Sequence, residues 1–80
     1  MMHDFEERFA HLKQARRNVR PQELDSLFHS AGFTGRRGRA QDMVYSHPSL
    51  EAPLAIPQDN PVLPTYVSRA IRAIVRVSGH

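Results

Sequence analysis

Arginine is the residue type in this chain that most directly suggests chemistry. Ten of the eleven lysine and arginine residues are arginine. Apart from Arg8, these cations form three groups, which are Lys13, Arg16, Arg17 and Arg20; then Arg36, Arg37 and Arg39; then Arg69, Arg72 and Arg76. The guanidinium fork matches phosphate oxygens and stacks on nucleobases, so the groups favour a polyanionic partner over an acidic peptide. The alternative is a solvated basic surface, since the formal net charge is only +3.

Acid–base chemistry at neutral pH would call for a histidine, and the segment after the second arginine group contains one. Asp42 and His47 lie on a single stretch that is rich in strand-forming residues. Because side chains alternate along a strand, Asp42 and His47 are predicted to face opposite sides of the sheet. A histidine before proline at a strand end is typical of a structural residue bonded to nearby backbone. Catalysis by His47 is the alternative.

The sequence contains no pattern of metal ligands. The five histidines include no pair at i, i+4 spacing, and no cysteine supplies a thiolate. Gly32, Gly35 and Gly38 are spaced unlike a phosphate-binding loop, and we assign them to a helix cap and to hairpin geometry. We therefore expect no metal site and no small-molecule cofactor.

Hydrophobic spacing predicts the elements that must position these residues, in the order ααβββα. Apolar residues at helical spacing predict helices over about residues 4–17, 21–31 and 64–77, with Pro21 and Pro64 in the first turns. Gly32 stands where a left-handed helix cap is expected. Short strands are predicted over residues 33–37, 43–47 and 52–56.

These elements predict an α+β domain. Three short antiparallel strands leave one face to be covered, and the helices that begin at Pro21 and Pro64 each have one apolar stripe to cover it. The expected division is an N-terminal helical extension over residues 1–18 and a domain over residues 19–78.

The central segment also resembles a known family. Its sequence is Arg36-Arg37-Gly38-Arg39-Ala40-Gln41-Asp42-Met43-Val44-Tyr45-Ser46-His47-Pro48. It is similar to the central hairpin of the HicA family of mRNA interferase toxins, where a basic turn leads through Gly-Ser-His into a short strand that ends in His-Pro. Ala40-Gln41-Asp42 stands in the place of Gly-Ser-His.

The resemblance covers about residues 18–75. The segments at 18–24 and 31–33 are similar to the family's first core helix and its glycine stop, and Leu54-Ala55-Ile56-Pro57 is similar to its third strand. The run that begins Pro64-Thr65-Tyr66 is similar to the Lys-Pro-Tyr run that opens the last helix in one branch of the family. Leu63 stands where that branch prefers lysine.

This resemblance implies a double-stranded-RNA-binding-domain-like fold and a HicA-like toxin of a type II toxin–antitoxin system. Its partners would be RNA and a HicB-like antitoxin protein. It places the family's catalytic histidine at Asp42, with His47 as the alternative catalytic residue. The expected RNA contacts are Arg36, Arg37, Arg39, Arg69 and Arg72.

Asp42 leaves open whether the chain is a metal-independent endoribonuclease. An aspartate has a pKa of about 3.9 in the absence of perturbation, so Asp42 would be ionised, a poor base and repulsive to phosphate. Losing one acid–base group lowers a rate by roughly two to four orders of magnitude. Two alternatives therefore remain beside the toxin, which are a non-catalytic RNA-binding module on the same fold and a protein-interaction domain that docks an acidic partner.

Composition sets the remaining expectations. Eighty residues make one small domain, and the absence of cysteine favours a reducing, cytoplasmic setting. The longest apolar run, at residues 73–77, is interrupted by arginine. We therefore expect neither a signal peptide nor a membrane span.

Overall fold

The computed structural model describes residues 2–79, with side chains from residue 5 onward. Its elements in chain order are α1 (Met2–Gln14), α2 (Pro21–Ser30), β1 (Thr34–Arg37), β2 (Asp42–Ser46), β3 (Leu54–Pro57) and α3 (Pro64–Ser78). The predicted α+β class, the ααβββα order and the antiparallel sheet β1-β2-β3 are confirmed. Met1, the first residue of the predicted N-terminal extension, lies outside the described residues, as does His80.

One face of the sheet packs against helices. Tyr45 on β2 is 1% exposed, and its ring stacks on Phe28 of α2 with centroids 4.0 Å apart. Ile56 on β3 is fully buried beside it. Helix α2 lies by β1 and α3 by β3, each with its apolar stripe in the same core. The other face, which carries Arg36, Asp42 and Ala55, has no helix over it among residues 2–79.

The extra helix α1 packs against the rest of the domain through apolar contacts with the core and hydrogen bonds to α2. Phe9 and Leu12 are buried in the common core. The Arg8 guanidinium donates hydrogen bonds to the hydroxyls of Ser26 at 2.7 Å and Ser30 at 3.1 Å on α2. The N-terminal helix therefore belongs to the packed structure of the domain.

The two edges of the sheet differ in what their backbones offer. The Gly38 N–H donates to the Asp42 carbonyl at 2.9 Å, so the antiparallel alternation directs the N–H and C=O groups of Arg36 toward β2. The N–H and C=O groups of Gly35 and Arg37 then point outward from the free edge of β1. None of them has a hydrogen-bond partner among the described residues.

At the other edge, proline limits what β3 can donate. The Gln58 N–H donates to the Gln41 carbonyl at 3.2 Å, which places Ala55 and Pro57 at the outward positions of β3. Pro57 has no N–H, so Ala55 supplies the only outward donor within the strand. The free edge of β1 is the one that retains full pairing capacity.

Candidate functional site

The turn between β1 and β2 forms a tight basic tip. The Asp42 N–H donates to the Arg39 carbonyl at 2.9 Å, which closes the turn. Ala40 inside it has a φ of 51°, in the left-handed region that favours glycine. Gly38 leaves no room for a side chain, since a Cβ there would lie 2.7 Å from a methyl group of Val44. These contacts define the backbone of the turn between Arg37 and Asp42.

The three hairpin arginines surround this tip without acidic partners. Arg36, Arg37 and Arg39 are exposed, and none forms an ion pair or side-chain hydrogen bond with the side chains described, those of residues 5–79. Arg36 lies opposite Val44 on the uncovered sheet face, in a diagonal position to Asp42. Their guanidinium groups are thus free to bind an anion.

Asp42 is half-buried at the start of β2 and lines a shallow depression of about 390 Å³. The other lining residues are Arg37, Ala40, Gln41, Met43 and Gln58. The Asp42 carboxylate makes no ion pair or hydrogen bond with the rest of the described chain. The depression combines cationic, amide and carboxylate groups, which together can bind a polar ligand that carries both donors and acceptors.

His47 lies away from this depression. It follows the far end of β2, five residues and therefore roughly 16 Å from Asp42, on the helix-covered side. Its Nδ1 accepts a hydrogen bond from the Ser49 N–H at 3.0 Å, and its ring lies against Phe33 with centroids 5.1 Å apart. Asp42 and His47, the two candidate catalytic residues, are therefore far apart. The His47 side chain contacts the Ser49 backbone and the Phe33 ring.

Arg69 and Arg72 form a second surface. Both are exposed on the side of α3 opposite its buried stripe, so they point away from the sheet and from Arg36. The Arg69 guanidinium lies 5.3 Å from the centre of the Tyr66 ring. The five arginines predicted to bind RNA therefore divide between the hairpin and the outer side of the helical layer.

The helix-covered side of the sheet contains a polar cluster that the sequence did not predict. The Tyr45 hydroxyl donates a hydrogen bond to the Asp25 carboxylate at 2.7 Å, and His29 Nε2 lies 3.4 Å from the same oxygen. Burial, together with the bond to Asp25, raises the pKa of the Tyr45 hydroxyl above its ordinary value. An aspartate one turn before a histidine on α2 was the only available signal, and it does not identify the tyrosine.

Two negative findings apply to the described residues. No helix within residues 2–79 is long and apolar enough to cross a membrane. The side chains described, those of residues 5–79, include no group of three or more histidine, cysteine, aspartate or glutamate residues placed to bind a metal ion.

Comparison with known proteins gives no assignment. No family model, no curated protein and no solved structure matches this chain significantly.

Proposed function

We propose that this chain is a HicA-like protein of a toxin–antitoxin system that binds RNA through its β1–β2 hairpin, on a double-stranded-RNA-binding-domain-like fold. The observation that carries the proposal is the hairpin tip, where three exposed arginines have no acidic partner among the described residues. Unpaired guanidinium groups bind phosphate without first giving up an ion pair. A HicB-like antitoxin is the proposed protein partner.

The backbone of the turn supports the placement of the family motif. The resemblance puts the glycine of Gly-Ser-His at position 40, and Ala40 has the left-handed φ of 51° that glycine adopts without strain. A motif glycine is expected at such a position on conformational grounds alone. The same register puts the family's histidine at Asp42.

The position of Asp42 supports low catalytic activity. Asp42 shares the uncovered sheet face with Arg36, so a phosphate bound by that arginine would lie close to residue 42. A carboxylate there repels the phosphate and is a weak base near neutral pH. We propose that this chain binds RNA and cleaves it slowly or not at all.

RNA binding is tested by replacing Arg36, Arg37 and Arg39 with glutamine and measuring affinity for single-stranded RNA over a range of salt concentrations. If each arginine contacts one phosphate, the slope of log affinity against log salt should become shallower by about 2. The matched control replaces Arg69, Arg72 and Arg76, which carries the same charge change on the outer side of α3. A larger loss in the control would put the RNA on the helical layer and refute the hairpin assignment.

Catalysis is tested separately by the Asp42→His variant, with Asp42→Asn as the control. Both variants remove the negative charge, but only histidine supplies a base whose ordinary pKa is about 6.5. RNA cleavage in the presence of a metal chelator should rise by one order of magnitude or more in the histidine variant and stay low in the asparagine variant. If RNA binds and neither variant cleaves it, the protein is an RNA-binding module and the toxin proposal fails.

A further inference from the structure

The free edge of β1 carries pairing groups that the fold does not use. The N–H and C=O groups of Gly35 and Arg37 point outward without hydrogen-bond partners in the described chain. We propose that this edge binds an extended acidic segment of a partner protein, which adds to the sheet as a fourth strand. Strand addition supplies main-chain hydrogen bonds, while the flanking side chains select the sequence of the incoming segment.

Charge favours an acidic segment over a second copy of this chain. In an antiparallel pair of two β1 edges, all four outward N–H and C=O groups of each copy are used only when Gly35 of one copy lies opposite Arg37 of the other. That register puts Arg36 directly opposite the second copy's Arg36, and like charges facing each other destabilise a sheet. The edge is therefore protected against self-pairing in the way that charged edge strands generally are.

The same arginines define the sequence that the edge would accept. Arg36 and Arg37 project from opposite faces of β1, because consecutive side chains alternate along a strand. An incoming strand that places acidic residues at two adjacent positions would meet both guanidinium groups, one on each face. Among residues 5–79, neither arginine has an ion pair that the segment would need to displace.

The far edge of the sheet offers a poorer site. Pro57 has no N–H at one of the two outward positions of β3, so an added strand there would lose a ladder hydrogen bond. The strand β3 also has no cationic side chain to attract an acidic segment, since its sequence is Leu-Ala-Ile-Pro. The structure therefore directs an acidic strand to β1.

Binding at this edge would have a consequence for RNA. Arg36 and Arg37 are also proposed phosphate contacts, so the acidic strand and RNA would compete for them. The docking itself rests on the geometry of the edge, and only the competition rests on the proposed function. An acidic strand on β1 would thus act as a regulator of RNA access.

Amide hydrogen exchange of the intact protein tests the docking directly. The probe is a short capped peptide of alternating threonine and valine with two adjacent glutamates at its centre. One control peptide has glutamine in place of both glutamates, and the other is N-methylated at the amides that would face β1. When nine-tenths of the protein is bound, the Gly35 and Arg37 amides should exchange about tenfold more slowly. The Arg36 amide is already directed toward β2 and should change least. Both control peptides should bind at least about tenfold more weakly.

Two results of this experiment would overturn the inference. A peptide that shifts arginine signals and leaves the exchange of the Gly35 and Arg37 amides unchanged makes a charge contact without strand addition. If those amides become protected with rising protein concentration and no peptide, the occupant is a second copy. Titration of the same samples with RNA tests the two proposals separately. If the peptide protects the Gly35 and Arg37 amides but the protein does not bind RNA, the proposed function is wrong and the strand docking still holds.

Discussion

Replacement of Tyr45 by phenylalanine is the most informative test of the packing that positions the hairpin. The change removes only the hydroxyl, so the ring still stacks on Phe28, whose centroid lies 4.0 Å away. The hydrogen bond to the Asp25 carboxylate, at 2.7 Å, is lost. The variant therefore isolates one bond between α2 and the middle strand of the sheet.

The expected cost follows from the surroundings of that bond. A hydrogen bond to a charged group contributes about 1.5–3 kcal/mol, and removing one partner leaves the other to be rehydrated. The Asp25 side chain is 39% exposed, so water replaces part of the loss and the lower end applies. We expect the free energy of unfolding to fall by about 1.5 kcal/mol, which lowers the Tm by about 6–12 °C in a domain of this size.

The same variant should change the response of stability to alkaline pH. Burial and the bond to Asp25 raise the pKa of Tyr45 in the folded state, while the unfolded chain keeps the ordinary value near 10.0. Above that pH the unfolded state loses the proton and the folded state retains it. Stability should therefore be insensitive to this group below about pH 10 and fall by up to about 1.4 kcal/mol per pH unit above it. Tyr45→Phe should remove this component.

The assay is urea unfolding at pH values from neutral to about 11, followed by circular dichroism. Tyr66→Phe is the matched control, because Tyr66 is partly exposed on α3 and its hydroxyl has no hydrogen bond to another described residue, so the stability should be nearly unchanged. The reasoning is refuted if Tyr45→Phe is as stable as the parent chain at neutral pH. It is also refuted if the two proteins lose stability in parallel above pH 10.

Three further substitutions test other parts of the structure. Ala40→Gly should raise the free energy of unfolding by about 0.5–1 kcal/mol in chemical denaturation. Glycine relieves the strain of the left-handed φ, and the greater entropy of glycine in the unfolded chain offsets part of that gain. A lower free energy of unfolding would show that residue 40 does not have a left-handed φ. Gly35→Val should lower stability by more than about 1 kcal/mol, since even a Cβ there would lie 3.0 Å from the Tyr45 ring, and an unchanged Tm would contradict that contact. His47→Ala should cost about 1 kcal/mol through loss of the bond from the Ser49 N–H and leave RNA affinity unchanged, whereas a selective loss of RNA cleavage would make His47 catalytic.

Local sequence signals predicted the elements well wherever one residue type has a strong backbone preference. Helices begin at Pro21 and Pro64 as predicted, and Gly32 has the expected left-handed φ, at 90°. The boundaries of the third strand were shifted, since it spans Leu54–Pro57 rather than residues 52–56. Pro57 is accommodated because its nitrogen points to the free edge, and a register of this kind is set by pairing partners that the sequence does not reveal.

The site was less predictable because its contacts join distant segments. Strand alternation correctly separated Asp42 from His47, which is a local rule. The division of the arginines between hairpin and helical layer depends on how α3 packs, and the bond between Tyr45 and Asp25 spans 20 residues. No local pattern encodes such pairs, so the sequence alone could not show how these residues are grouped in space.

The unequal edges of the sheet also limit the size of any assembly built by strand pairing. Open-ended growth into a fibre requires each molecule to offer two complementary edges, one to accept a strand and one to pass the pairing on. Here Pro57 weakens one edge, and the facing arginines oppose self-pairing at the other. Copies of this protein should therefore not polymerise with one another through their sheets.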